Sequence, residues 1–140
     1  MCGINIIVSK RKDKEKLIKK MNQKIIHRGP DAEGVYTDDY VALGQRRLSI
    51  IDLSESGTQP IYNEDKSIAV IFNGEIYNYK ELKEELQKHT FTTETDTEVL
   101  VHGYEEWGVD LLNRLRGMFS FCIYDINKKE LLIARDHFGI

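Results

Sequence analysis

The stretch MFSFCIYDINKKELLIARD, residues 118–136, decides the fold class of this chain. Two apolar runs flank a polar turn at residues 127–130, which is the pattern of a β-hairpin. Cys122 alternates with Phe121 and Ile123 in the first run, so we expect it to be a buried structural thiol. The C-terminal part of the chain therefore predicts an antiparallel sheet.

Toward the N-terminus, short apolar segments separated by turn residues predict further strands, and segments with helical spacing predict helices. The expected strands are Gly3–Val8 and residues 34–37, 41–44, 48–51 and 68–72. The expected helices are residues 17–28 with Gly29 as the C-cap, 78–88 and 95–108 with capping boxes at their starts, and a short one at 111–115. Strands, then helices, then strands again predict an α+β layered fold.

Composition narrows the function classes. The chain has 140 residues, which suits one domain, and a net charge of −3 from interspersed Lys and Glu. This pattern favours neither nucleic acid nor a membrane surface, and it suits a small polar substrate. Two cysteines give no spacing typical of a disulfide framework or a zinc site, so we expect no metal and a cytoplasmic location. We also expect neither a signal peptide nor a membrane span, and the apolar end suggests an incomplete domain.

Cys2 is the sharpest chemical feature, because loss of Met1 would place a thiol and a free α-amine on one residue. The amine has a reference pKa of about 8 and a thiol one of about 8.5, so proton exchange between them needs little tuning. This arrangement is an N-terminal nucleophile that carries its own base. The alternative is that Met-Cys begins the chain by chance.

Asn73 and Gly74 follow an apolar strand and could donate an amide N–H and a backbone N–H to an oxyanion. Asn-Gly is also the commonest hairpin turn, and from the dipeptide alone that alternative is favoured. Arg47 could hold a carboxylate through its planar fork, and Glu75 and Asp96 could receive an ammonium.

Each of these three charges also has an ordinary explanation. Arg47 could lie on a solvated strand edge, Glu75 in a loop, and Asp96 at a helix start where a carboxylate is favourable. His27 and Arg28 are sufficiently explained by a helix C-terminus, so we do not assign them to catalysis.

Eight segments taken together resemble the class II glutamine amidotransferases, and in particular their asparagine synthetase branch. They are CGI at 2–4, HRGPD at 27–31, RRLSIIDLS at 46–54, GTQPI at 57–61, FNGEIYNY at 72–79, TETDTEV at 93–99, LRGMFSF at 115–121 and ARDHFGI at 134–140. CGI and HRG are shared widely among these amidotransferases, whereas HRGPD with RLSIID, QPI and NGEIYNY is similar to asparagine synthetases. The resemblance covers the whole chain in order.

The resemblance implies the N-terminal-nucleophile hydrolase fold, a four-layer αββα sandwich of two antiparallel sheets. It implies Cys2 as nucleophile, Asn73 with the Gly74 N–H as oxyanion hole, and Arg47 as the ligand of the glutamine carboxylate. It further implies that the backbone of Leu48, Ser49, Ile50 and Ile51 borders the glutamine pocket, and that Gly74, Glu75 and Asp96 surround the substrate ammonium.

The resemblance also implies the reaction and its partners. Glutamine would be hydrolysed through a Cys2 thioester, and the ammonia would pass to a C-terminal synthetase domain outside these 140 residues. That domain would use ATP and Mg²⁺ to join ammonia to aspartate, so no cofactor is expected in this chain. A homodimer of the parent protein is compatible with this arrangement. Two alternatives stay open: an amidotransferase for another acceptor, such as a surface polysaccharide, and a non-catalytic pseudo-glutaminase that serves as a docking module.

Overall fold

The computed structural model describes residues 2–49 and 55–139 of the chain. Its strands are β1 Gly3–Val8, β2 Ala32–Thr37, β3 Val41–Arg47, β4 Ile61–Tyr62, β5 Ile68–Ile76, β6 Gly117–Asp125 and β7 Glu130–Arg135. Its helices are α1 Lys14–Lys24, α2 Tyr79–Glu85 and α3 Glu98–Trp107, with 3₁₀ turns at Ile26–Arg28, Glu55–Gly57 and Gly108–Asn113. None of the described helices has the length and apolarity needed to cross a membrane.

The strands form two antiparallel sheets, one of three strands in the order β1-β3-β2 and one of four in the order β4-β5-β6-β7. The predicted C-terminal hairpin is confirmed, since Asp125 pairs with Glu130 across the turn between β6 and β7. The α+β class and the two antiparallel sheets are likewise confirmed.

The side chains of β5 alternate between two apolar layers. Ala69 and Ile71 pack with Cys122 between the two sheets, whereas Val70 and Phe72 pack in the layer that α2 and α3 cover. Helix α1 covers the outer face of the three-stranded sheet. The order of layers is therefore α1, sheet, sheet and then α2 with α3. Cys122 is fully buried, as predicted, and burial raises the pKa of its thiol to about 12.

Helix α1 ends earlier than its apolar spacing indicated. It ends at Lys24 and gives way to the 3₁₀ turn Ile26–Arg28, so Gly29 caps that turn and does not cap α1. Gly29 serves a different purpose, because a Cβ at this position would overlap the backbone of Arg46. Glycine therefore lets this segment lie directly against β3. The predicted end of α3 is confirmed, with Gly108 as its C-cap at φ 54°.

Neither predicted capping box forms, because the capping side chains have longer-range partners. The Asn78 amide donates to the Arg114 carbonyl at 2.9 Å and accepts from the Arg116 N–H at 2.9 Å. Glu98 accepts the backbone N–H groups of Thr92 and Thr93 at 2.8 and 2.7 Å. Asn78 therefore joins its helix to the distant segment near residue 115, and Glu98 holds the chain just before its own helix.

Two strand predictions also change. Residues 48 and 49 follow β3 without belonging to a strand, so the predicted strand at 48–51 was wrong for its described half, and Ile50 and Ile51 lie outside the described residues. Strand β5 is longer than predicted and runs through Asn73 and Gly74, with Asn73 opposite Ser120. The hairpin-turn alternative for Asn73-Gly74 is therefore excluded.

Candidate functional site

Cys2 lies directly before β1, at the end of the three-stranded sheet where β3 finishes. Gly3 pairs with Arg46, so Cys2 lies beside the residues that follow β3. The Leu48 N–H donates to the Cys2 sulfur at 3.3 Å, and the same sulfur is 3.6 Å from the Leu48 carbonyl oxygen. The half-buried thiol is thus held against the backbone of the segment that follows β3.

The segment 27–31 contacts both Cys2 and the end of β3. The Arg28 side chain donates to the Cys2 carbonyl at 3.0 Å, and Arg46 donates to the Gly29 carbonyl at 2.8 Å. Asp31 accepts the Ser49 N–H at 2.8 Å. The sequence explained Arg28 by a helix end alone, but its contact with the cysteine backbone gives it a positioning role.

Arg47 is the last residue of β3, and its side chain is directed between the two sheets. Its side chain lies on the same face of β3 as those of Val41 and Leu43, which both pack in the layer between the sheets. The buried guanidinium lies against Gly57, whose added Cβ would also come within 3.0 Å of Thr95. Arg47 is therefore not on a solvated edge, and it reaches the segment that leads to Asp96.

Asn73 has the same parity as Ala69 and Ile71, so its side chain also faces the space between the sheets. Its Oδ1 is buried and accepts no hydrogen bond from the described residues. A buried amide oxygen without a donor is uncommon, and a ligand that carries an N–H or O–H group would complete it.

One edge of β5 pairs with the short strand β4 only at Ala69 and Val70. The rest of this edge presents its N–H groups to other partners. Beyond β4, the Phe72 N–H donates to the Gln59 side chain at 2.6 Å and the Ile76 N–H donates to Asp96 at 2.8 Å. By the alternation of a strand, the Gly74 N–H between them points to the same edge.

Gly74 also has a structural requirement, because its φ is 154° and an added Cβ would overlap the Met118 carbonyl oxygen. The glycine thus allows close pairing with β6.

Glu75 and Asp96 form an acidic pair next to this edge. Burial raises the pKa of Asp96 to about 6, the Ile76 N–H opposes the rise, and the nearby Glu75 carboxylate adds to it. Burial raises the pKa of Glu75 as well. Both carboxyl groups lose contact with water, which makes their ionised forms less favourable. A cation bound between them would stabilise the ionised forms, so the pair is suited to a cation.

The sandwich therefore brings the predicted residues together from two sheets. Cys2, Arg47, Leu48 and Ser49 lie at the end of one sheet, and Asn73, Gly74, Glu75 and Asp96 lie on the other sheet or beside it. β1 and β3 pack against β5, so the two sheets that carry these groups lie against each other. The expectations for Ile50 and Ile51 concern positions outside the described residues.

Gln59 was missed by the sequence analysis although it lies in one of the motifs, GTQPI. It is buried, accepts from Phe72 N–H and donates to the Thr97 hydroxyl at 3.4 Å. It thereby joins β5 just before Asn73 to the start of α3 just after Asp96. A buried glutamine in a loop gives no periodic signal, and only the fold reveals its partners.

Two antiparallel sheets between helical layers, with a cysteine at the first strand, are features of the glutamine amidotransferases. Residues 1–140 match the family model described as "Glutamine amidotransferase domain", and the chain belongs to this family.

More particularly, the chain is 50% identical over 147 residues to "Asparagine synthetase [glutamine-hydrolyzing] 1" of Bacillus subtilis (strain 168), with 100% of this chain and 23% of that relative covered. It is 42% identical over 143 residues to "Asparagine synthetase [glutamine-hydrolyzing] 1" of Arabidopsis thaliana, with 100% and 24% covered. The resemblance inferred from the motifs is confirmed.

The chain spans about a quarter of the length of these curated relatives. Among solved structures, it is similar to the glutamine phosphoribosylpyrophosphate amidotransferase of B. subtilis in complex with ADP and GMP. The TM-score is 0.74 at 20% identity, and the match covers 97% of this chain and 37% of that one. At this identity the likeness concerns the fold alone.

Proposed function

We propose that this chain hydrolyses glutamine to glutamate and ammonia, with Cys2 as the nucleophile. The observation that carries the proposal is the position of the Cys2 sulfur. It accepts the Leu48 N–H at 3.3 Å, at the sheet end where Arg47 enters the space between the sheets. A backbone donor at sulfur suits a thiolate, and a neighbouring buried cation suits a substrate carboxylate.

The chemistry begins with the Cys2 sulfur attacking the side-chain amide carbon of glutamine. The Asn73 amide N–H and the Gly74 N–H stabilise the oxyanion, and the open edge of β5 at Gly74 supports this role. The α-amine of Cys2, which is basic once Met1 is removed, takes the thiol proton and delivers it to the leaving ammonia. Water then releases glutamate from the thioester and restores the thiol.

Substrate recognition uses the charges that the fold buries. Arg47 binds the α-carboxylate through two N–H groups, and Glu75 with Asp96 binds the α-ammonium. The raised pKa values of both carboxyl groups, which burial causes, support this role, since an ammonium would offset the cost of holding charged carboxylates away from water. The backbone of Leu48 and Ser49 borders the pocket.

The ammonia acceptor belongs to the part of the relatives' length that this chain does not span. By analogy with those relatives, we assign to that part the ATP- and Mg²⁺-dependent amidation of aspartate to asparagine. The parent protein would act in the cytoplasm, and a homodimer is compatible with this assignment. The relatives' names support asparagine as the product over a polysaccharide amide.

A glutamine-analogue electrophile tests the nucleophile directly. Intact mass should show one adduct per chain in the wild type and none in Cys2→Ala, which keeps Cys122 as an internal control because that thiol is fully buried. Excess glutamine should slow the labelling. Labelling of Cys2→Ala, or a wild type that is not labelled and releases no ammonia from glutamine, would overturn the proposal.

A second comparison separates the two halves of the reaction. In the full-length protein, Cys2→Ala should abolish glutamine-dependent asparagine synthesis and leave synthesis from added ammonium salts measurable. The reason is that the substitution removes the ammonia source and leaves the acceptor part intact. Equal loss of both activities would contradict two separate sites.

A further inference from the structure

Four side chains from three separate segments meet away from the residues assigned to glutamine. Glu64 lies between β4 and β5, His89 follows α2, and His102 and Glu105 lie one turn apart on α3. One donor atom from each lies within 4.8 Å of the other three. Two imidazole nitrogens and two carboxylate oxygens are a donor set typical of Zn²⁺.

The distances between these donor atoms match the edges of a small coordination polyhedron. The Nδ1 of His89 is 3.5 Å from Glu64 and 3.4 Å from Glu105. The Nδ1 of His102 is 3.7 Å from Glu64 and 3.0 Å from Glu105. Ligands at about 2.1 Å from a tetrahedral ion are about 3.4 Å apart, which is close to these distances, and Glu64 meets His89 through Oε1 and His102 through Oε2, so it would turn one of these oxygens toward the ion.

The outward-facing nitrogens of both imidazole rings also meet carboxylates. The Nε2 of His89 is 2.9 Å from Glu106, and the Nε2 of His102 is 3.7 Å from Glu98. At His89 the carboxylate favours a proton on Nε2 and leaves the Nδ1 lone pair directed inward, as in many zinc sites, whereas at His102 a metal would replace the 3.0 Å hydrogen bond between Nδ1 and Glu105. The His102 Nε2 is buried and makes no hydrogen bond among the described residues.

The alternative is a pair of imidazolium ions that neutralise the carboxylates without a metal. The two rings stack with centroids 4.6 Å apart and planes 23° apart, and Phe91 packs against His102 with centroids 4.8 Å apart. Two positive rings stacked at this distance would repel each other in a half-buried place. One divalent ion satisfies both carboxylates and leaves both rings neutral.

We propose that Glu64, His89, His102 and Glu105 bind one divalent transition-metal ion, with Zn²⁺ the best fit to the donors. Four protein ligands leave no open position, so the ion is structural and not catalytic. It would join the β4–β5 turn, the segment after α2 and the middle of α3.

The ion would also be linked to the glutamine half of the molecule. Glu98, behind His102, accepts the N–H groups of Thr92 and Thr93 at 2.8 and 2.7 Å. That segment leads directly to Asp96. Metal binding would therefore stabilise the segment that carries this carboxylate, although the proposal does not depend on the glutaminase assignment.

The test uses the full-length protein, stripped of metal by a chelator and titrated with Zn²⁺ against a chromophoric competitor. We expect one tight site per chain in the wild type, weakened at least about 100-fold by His89→Gln and by Glu64→Gln. These two residues are chosen because neither is as deeply buried as His102 and both variants should fold. His27→Gln is the matched control, since that histidine is exposed and outside the cluster.

Co²⁺ and thermal unfolding supply independent readouts. Bound Co²⁺ should give the intense visible absorption of a four-coordinate ion in the wild type and in His27→Gln, and lose it in His89→Gln. Zn²⁺ should raise Tm in the same two proteins and not in His89→Gln. No saturable site in the wild type, or equal affinity in His89→Gln and the control, would overturn the proposal.

Discussion

Replacing Asp96 with Asn should make the protein more stable near neutral pH while impairing glutamine binding. The carboxyl is buried, and its pKa rises from 3.8 to about 6 on folding, which corresponds to about 3 kcal/mol against the ionised form. An amide of the same shape carries no charge, and its oxygen can still accept the Ile76 N–H. The variant should therefore gain up to about 3 kcal/mol in free energy of unfolding at pH 8.

The sign of the pH dependence follows from proton binding. Between pH 4 and 6 the folded wild type holds a proton on Asp96 that the unfolded chain has released, so wild-type stability falls as pH rises through this window. The advantage of Asp96→Asn should therefore shrink to about 1.5 kcal/mol at pH 5. Urea unfolding followed by circular dichroism at pH 5 and pH 8 measures both values.

The stabilisation of the folded protein by bound glutamine tests the role of Asp96 in binding. In a Cys2→Ala background, which prevents turnover, glutamine at 100 times its Kd should stabilise the Asp96 protein by about 2.7 kcal/mol. The Asp96→Asn protein should gain far less at the same concentration, because the amide cannot pair with an ammonium. Asp110→Asn, at an exposed carboxylate, is the matched control and should change neither quantity.

The reasoning fails if Asp96→Asn is less stable than the wild type at pH 8, or if the difference is the same at pH 5. It also fails if glutamine stabilises both proteins equally, because the carboxylate would then have no part in binding the substrate.

Three further substitutions test other parts of the structure. Asn73→Ala should lower kcat for glutamine hydrolysis about 10²- to 10³-fold if its amide stabilises the oxyanion, and a change confined to KM would make it a binding residue instead. Arg47→Lys should raise KM more than it lowers kcat, because the planar fork is lost while the charge stays; an unchanged KM would remove Arg47 from the pocket. Although burial alone would raise it, hydrogen bonds from Tyr124 and two backbone N–H groups lower the pKa of Asp38 to about 2. Asp38→Asn should thus cost about 1–3 kcal/mol at pH 7 by urea unfolding, a penalty that shrinks as pH falls from about 4 toward 2, whereas a constant penalty would indicate lost packing alone.

The sequence predicted best those elements whose pattern is local. The 118–136 hairpin and Gly3–Val8 were recognised because apolar runs end at clear turn residues. Capping boxes failed because a Ser, Thr or Asn before a helix has the same local pattern whether its side chain bonds its own helix or a remote strand. Asn78 bonds residues near 115, a partner that no local pattern reveals.

The candidate site shows the same division. Cys2 and Asn73 could be singled out by residue type, yet the turn alternative for Asn73 was removed only by its pairing with Ser120. Arg28 and Gln59 act through contacts more than ten residues distant, and the cluster around His102 joins three segments. Spacing on α3 could have indicated His102 with Glu98 and Glu105, but not the partners contributed by other segments.

The two groups of candidate residues lie on different sheets, which gives the packing between those sheets a chemical consequence. The distance from the Cys2 sulfur to the Asn73 amide depends on the thickness of the layer that Ala69 and Cys122 fill. A misplacement of about 1 Å can slow an oriented reaction about 10²-fold. A larger side chain at either position would increase the distance between the sheets. The rate of glutamine hydrolysis would then fall through a change in core volume at a position that does not contact the substrate.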